Sequence, residues 1–197
     1  YYLGGRFTMV PEKYFDTSNI DSYFSFNAKL RDNETLAWDK VSDSDICFIY
    51  SIPKELKTLL ESRFANLNIG HFAHLQLPYY LNESLDPQAS VYLYIHKGFF
   101  QIFIIEKNKL ILYNEFEYDT KEDFLYYVIF CMEQTQLNPE FNPVFLSGEI
   151  NHEDEKSTLL SNYVRNVKVL SNNTKLHNNE ITSKLISHKH LLQLISQ

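Results

Sequence analysis

Between Val91 and Phe116 three apolar, β-branched and aromatic runs follow one another with only two to four polar residues between them, a spacing that admits hairpins and little else. The runs are Val91–His96, Phe99–Ile105 and Leu110–Phe116. Lys97-Gly98 joins the first pair, with Gly98 supplying the positive φ of a tight turn, and Lys107-Asn108 serves the second pair less specifically. After this meander the period changes. Thr120 with Asp123 three residues on has the form of a capping box, and the segment to about Gln136 reads as a helix ended by Asn138-Pro139. Because that helix is apolar almost all round from Phe124 to Met132, the sequence predicts that it is sandwiched. Pro143–Leu146 reads as a buried strand ending in Ser147-Gly148. A helix follows from about His152–Asp154, with Leu159, Leu160, Tyr163 and Val164 inward. A last strand holds Val167, Val169 and Leu170. Ser171–Glu180 reads as a surface loop and Ile181–Gln197 as a terminal helix with Leu185, Leu191, Leu192 and Ile195 inward.

Asn82–Ser90, rich in Asn, Asp, Ser and Pro, is the clearest linker. Before it, Tyr1–Pro11 reads as a strand pair turning at Gly4-Gly5, and Tyr23–Ala28 as a weaker strand. Arg31–Glu34 forms a turn and Asp39–Asp45 a loop. Asp45–Tyr50 has the continuous apolar look of a strand buried on both faces. Ser51 is placed to cap the next helix, with Pro53 in its first turn and Leu56, Leu59, Leu60 and Phe64 at helical spacing. A short strand at Asn66–Ile69 and a helix from His71 to Leu77, disturbed by Pro78, complete this part.

The order after the linker, β-β-β-α-β-α-β-α, is that of a ribonuclease H-like half, and crossover rules set its later strands parallel to the first. The β-α-β-α stretch from Ile46 to Leu81 looks like the later part of another such half. Two in tandem make the actin-like ATPase fold: α/β, mixed sheets flanked by helices. The expected division is a partial first half over 1–84 and a second half over 85–197.

Hydrophobic residues at 44% and charged residues at 22% suit a globular chain of 197 residues. The 15 Phe and 14 Tyr, against Trp38 alone, read as strand and core filling. With a net charge of −7 and no Lys/Arg run longer than two, no nucleic acid partner is expected. Cys47 and Cys131, each within an apolar run, read as buried free thiols of a reducing compartment. No apolar run reaches the ~20 residues of a membrane helix and no signal peptide is visible, so the expectation is a cytoplasmic protein. Starting without Met inside a strand, the sequence reads as a fragment.

The run from Asn114 to Tyr127 (NEFEYDTKEDFLYY) resembles the signature of a Bacteroidetes family catalogued as domain of unknown function 3822. Arg6–Pro11 (RFTMVP) and Phe145–Glu149 (FLSGE) followed by a helix fit the same family. The resemblance covers most of the chain and implies an actin-like ATPase fold, also found in pilus- and secretion-associated proteins, with no established activity.

Actin-like ATPases hold nucleotide between two halves, each offering an Asp-x-Gly turn between its first two strands for phosphate and metal. The corresponding turn of the second half is His96-Lys97-Gly98, with the glycine kept and the carboxylate lost. Histidine suits Mg²⁺ poorly. The first half's turn is not visible, which leaves it to residues upstream of Tyr1. Ser147-Gly148-Glu149 stands where adenosine would meet a strand-end glycine, with one glycine instead of a pair, and a plain turn is the favoured explanation. Nuclease chemistry fails, since Val91–Ile95 holds no acid for a metal pair, and Glu115, Glu117 and Asp119 read as a solvated strand end leading to a helix cap. His71 and His74, with His96 or Asp86 as a third ligand, and His188 with His190, are weak metal candidates read as structural or as exposed tail. No catalytic residue is assigned. The favoured function is a non-catalytic scaffold or partner-binding module whose partner is another protein. The alternative is an ATP-binding actin-like ATPase using Mg·ATP. Tyr79-Tyr80 and Tyr126-Tyr127 are open to two readings, interface or core, with core favoured.

Overall fold

A computed structural model of the protein describes residues 5–42, 44–64, 69–83 and 88–170, with Leu75 and Glu83 placed by backbone alone. The chain divides into two compact units, Tyr1–Leu85 and Asp86–Gln197.

In the first unit β1 (Phe7–Pro11), β2 (Glu34–Lys40) and β3 (Ile46–Pro53) form an antiparallel sheet in the order β1-β3-β2. Thr8 faces Ile49 across one ladder, and Trp38 faces Ile49 across the other. As the central strand, β3 is buried continuously from Cys47 to Ile52, as its apolar run requires. Ile49 packs with Val10 and Phe24 on one side. Phe48 and Tyr50 meet the His71 ring on the other, at centroid distances of 5.5 and 5.2 Å.

Three expectations for this unit are corrected. Residues 20–27 form a helix, α1 (Ile20–Asn27), where a strand is expected at Tyr23–Ala28. Ile20, Tyr23 and Phe24 recur at helical spacing and pack inward, while Phe26 projects outward. Part of the expected Asp39–Asp45 loop belongs to β2, an edge strand whose residues are mostly half-buried or exposed and so show no apolar run. Ser51 lies inside β3, its Oγ accepting from the Arg6 backbone N–H at 3.1 Å. The helix α2 (Lys54–Arg63) therefore starts after Pro53 with no side-chain cap. Phe64, at helical spacing with Leu60 in the sequence, lies just beyond the end of this helix and is exposed. The last helix of the unit, α3 (Ala73–Glu83), runs through Pro78.

The second unit holds β4 (Ser90–Ile95), β5 (Phe99–Glu106), β6 (Lys109–Glu117), β7 (Val144–Gly148) and β8 (Val167–Val169), in the order β6-β5-β4-β7-β8. The meander is antiparallel, whereas β7 joins β4 and β8 joins β7 in parallel, as expected. Lys107 and Asn108 take φ of 50° and 58°, the pair of positive values a two-residue hairpin of this twist needs. One face of the sheet carries Leu93, Ile102 and Leu146 against Phe124, Val128 and Met132 of α4 (Lys121–Gln134). Asp154 caps α5 (Glu155–Ser161), which adds Leu160 to the same core.

The capping box forms as the sequence predicts. Asp123 N–H donates to Thr120 Oγ1 at 3.1 Å and Thr120 N–H to Asp123 Oδ2 at 2.9 Å. α4 is not sandwiched, because Tyr126 and Phe130 are exposed, and Tyr163 likewise points away from the core. Both cysteines are buried and free. The turn at Gly4, the strand at Asn66–Ile69, the centre of the linker and everything from Ser171 to Gln197, His188 and His190 included, lie wholly or largely outside the described residues.

Candidate functional site

The two segments singled out in the sequence meet in space. Parallel pairing of β4 with β7 sets Tyr94 beside Ser147 and Ile95 beside Gly148. The His96-Lys97-Gly98 hairpin thus stands next to the Ser147-Gly148-Glu149 turn at the carboxyl ends of adjacent parallel strands. β4 has an antiparallel neighbour on one side and a parallel neighbour on the other, the kind of position at which open α/β sheets receive ligands.

The hairpin closes through His96 N–H donating to Phe99 O at 2.9 Å. Gly98 takes φ +85°, and a Cβ there would meet nothing within 4 Å, so backbone conformation alone accounts for this glycine. The His96 ring stacks on Phe99 at 4.5 Å and tilts against Tyr94 at 4.7 Å. Tyr118 braces the loop from the far side of the meander. Its N–H donates to Gly98 O at 2.9 Å and its hydroxyl to His96 O at 2.6 Å. Lys97 is exposed.

Gly148 is bound by a different constraint. Its φ is +89°, and a Cβ there would lie 2.3 Å from Ile95 O and 2.9 Å from Ile95 N. The space that a missing side chain leaves is filled by the protein's own backbone, not held open toward a ligand. Ser147 Oγ donates to Leu93 O at 3.0 Å and Glu149 N–H to Ile95 O at 2.7 Å, so the turn is sewn to β4 on both sides of the glycine. The Glu149 carboxylate remains exposed. Burial first, and the Glu149 charge second, push the Tyr94 hydroxyl above its ordinary range. For Tyr118 burial again leads in the upward direction, opposed by Lys156. Lys156 pairs with Asp154 at 3.0 Å and lies 5.9 Å from the Tyr118 ring.

These residues do not fit Mg·ATP well. The hairpin offers an imidazole packed between rings where a metal shell wants carboxylate oxygen, and the exposed acids nearby, Glu149 after β7 and Glu117 opposite Phe99, repel phosphate. Tyr118 and Lys156 belong to no motif that the sequence shows; only the return of β6 and the start of α5 bring them here.

His71 is fully buried among Phe7, Phe48 and Tyr50, its backbone N–H donating to Asp39 Oδ2 at 2.7 Å. Among the described residues no three His, Cys, Asp or Glu side chains gather as a metal set. Asp86 lies outside those residues. Glu115 accepts from Tyr113 Oη at 2.6 Å and Gln101 Nε2 at 2.7 Å, which makes it part of a cross-strand network instead of a solvated end. No described helix is long and apolar enough to cross a membrane.

The family described as "Protein of unknown function (DUF3822)" matches residues 2–167. The chain belongs to this family. A crystal structure from Bacteroides thetaiotaomicron VPI-5482, of a protein with actin-like ATPase fold and unknown function, resembles the DUF3822 chain with a TM-score of 0.79. The two are 23% identical, over 85% of this chain and 66% of that one. A chain of a PilM-PilN type IV pilus biogenesis complex matches with a TM-score of 0.57 and 13% identity, over 84% of this chain and 65% of that one. The DUF3822 chain therefore has the actin-like ATPase fold and spans about two thirds of the length of each. No curated protein matches it.

Proposed function

We propose that this DUF3822 chain is a non-catalytic, cytoplasmic scaffold or partner-binding module whose nucleotide cleft has degraded. The observation that carries this reading is the hairpin between the first two strands of the second unit. It reads His96-Lys97-Gly98, with an aromatic stack in place of a carboxylate. The packing of Gly148 on Ile95 supports it, since the strand-end glycine is accounted for without adenosine. The likeness to a chain of the PilM-PilN complex supports a protein as the partner. The domain division at residues 84 and 85 belongs to the same reading, each part a half of the actin-like pair.

A second reading, an ATP-binding actin-like ATPase, is favoured by one observation. Exposed Lys97 sits at the tip of the loop beside the switch point of the sheet, where a cation suits a phosphate. Titration with a fluorescent ATP analogue in the presence of Mg²⁺ separates the two. The scaffold reading expects no saturable signal. Saturable binding that Lys97→Ala weakens would establish the ATPase reading in its place.

A further inference from the structure

The whole net charge of the chain resides in one stretch. From Glu117 to Asn166 there are ten Asp or Glu against three Lys or Arg, an excess of −7 equal to that of the full sequence, so the remainder is neutral. Those residues are the last of β6 together with α4, β7, α5 and their connections. The two helices lie side by side in contact, with their first turns joined by Lys121 Nζ to Glu155 Oε2 at 2.9 Å. The same stretch carries four large exposed hydrophobic residues: Tyr126 (61%), Phe130 (40%), Phe141 (63%) and Tyr163 (57%).

Tyr126 and Phe130 are one helical turn apart, with rings stacked at 6.0 Å and 20°, so they present a flat aromatic step on the outer face of α4. Exposed Glu122 and Glu133 flank that step along the helix. Phe141 and Tyr163 belong to two connections held together by Arg165 N–H donating to Pro139 O at 3.0 Å and by Arg165 with Glu140 at 3.6 Å. Rings standing out of an acidic layer are costly to leave in water and unsuited to phosphate-bearing partners, because the charge repels nucleic acid and anionic membranes alike. Self-pairing of α4 is disfavoured as well, since antiparallel stacking of Tyr126 on Phe130 of a second copy would bring Glu122 against Glu133.

We infer that the outer face of α4, centred on Tyr126 and Phe130, docks a basic amphipathic protein segment: apolar side chains on the aromatic step, Lys or Arg toward Glu122 and Glu133. Guanidinium or ammonium groups gain twice there, from the carboxylates and from the ring faces. Helix-on-groove recognition of this kind sets apolar anchors at i, i+3, i+4 and i+7. The inference rests on the partner-binding reading above and adds the surface and the chemistry of the partner.

The test uses the full chain and a labelled synthetic helix of about 18 residues, some five turns, with Leu at those anchor positions and Lys or Arg elsewhere, followed by fluorescence anisotropy. A matched peptide with Glu for every basic residue is the control. The basic peptide is expected to bind saturably and more weakly at high salt, and the acidic one not to bind. The double variant Tyr126→Ser, Phe130→Ser is expected to weaken binding roughly tenfold or more, as loss of aromatic anchors does. Glu122→Gln with Glu133→Gln is expected to weaken it and flatten the salt dependence. Circular dichroism shows whether each variant is folded. No binding of the basic peptide, equal binding of the acidic one, or undiminished binding to the folded Tyr126→Ser, Phe130→Ser variant would overturn the inference. Mg·ATP titration reports on the scaffold reading alone, so failure of one is not mistaken for failure of the other.

Discussion

Gly98 and Gly148 occupy the same conformational region for different reasons, and substitution separates them. Ala at 98 meets open space and bears only the cost of a positive φ, about 1 kcal/mol. Ala at 148 bears that cost and also drives a methyl into the Ile95 backbone, so its loss is expected to exceed the ~1–3 kcal/mol of ordinary backbone strain. Urea unfolding of the two variants checks the order. Gly148→Trp does not test an adenosine surface, because it would first break the turn after β7 where Gly148 packs on Ile95. At position 71 the fold holds a neutral imidazole: burial, then the charge of His74, lowers its pKa to about 4 from 6.5. Ala73 N–H donates to Nδ1 at 3.2 Å, so a proton on Nδ1 would face a donor. Between pH 6.5 and about 4 the unfolded chain takes up a proton that the folded chain refuses. The contribution is therefore complete above pH 6.5 and is lost as pH falls toward 4, up to roughly 3 kcal/mol. His71→Leu is expected to flatten that part of the stability–pH profile, measured by urea midpoints at a series of pH values.

Among the elements, α4 joins a strong local signal to the core. Thr120→Ala removes its cap and is expected to cost about 1 kcal/mol. Phe124→Ala opens the space beside Phe100 and Val128 and is expected to cost about 3–5 kcal/mol, both read from chemical denaturation. The elements legible in the sequence are those with a local physical signature: the meander with its turn residues, the capping box, and the apolar run that became β3. What escaped has none. β2 is an edge strand with little apolar patterning, and in α1 the weak alternation of Tyr23–Ala28 competes with the helical spacing of Ile20, Tyr23 and Phe24. The uniform apolarity of α4 suggested burial on all sides. Exposed Tyr126 and Phe130 show that apolar composition does not settle which face is covered. At the site, His96-Lys97-Gly98 and Ser147-Gly148-Glu149 were identifiable from strand order alone. Their adjacency and the bracing by Tyr118 came only with the β4–β7 register, which no local signal encodes.

For the molecule as a whole, a fold shared with actin-like ATPases does not carry their chemistry with it. The second unit has that strand order and switch point, and the loop beside it, His96-Lys97-Gly98, carries no acid and holds an aromatic stack. Charge is distributed unevenly too, with the acidic excess gathered between Glu117 and Asn166, the stretch that holds α4, β7 and α5. A protein built this way is expected to respond to a partner on its flank and not to nucleotide at its strand ends. Thermal melting of the whole protein with and without millimolar Mg·ATP tests this most directly, because any ligand of the folded state raises the midpoint. The account predicts an unchanged midpoint; a rise of several degrees, abolished by Lys97→Ala, would contradict it.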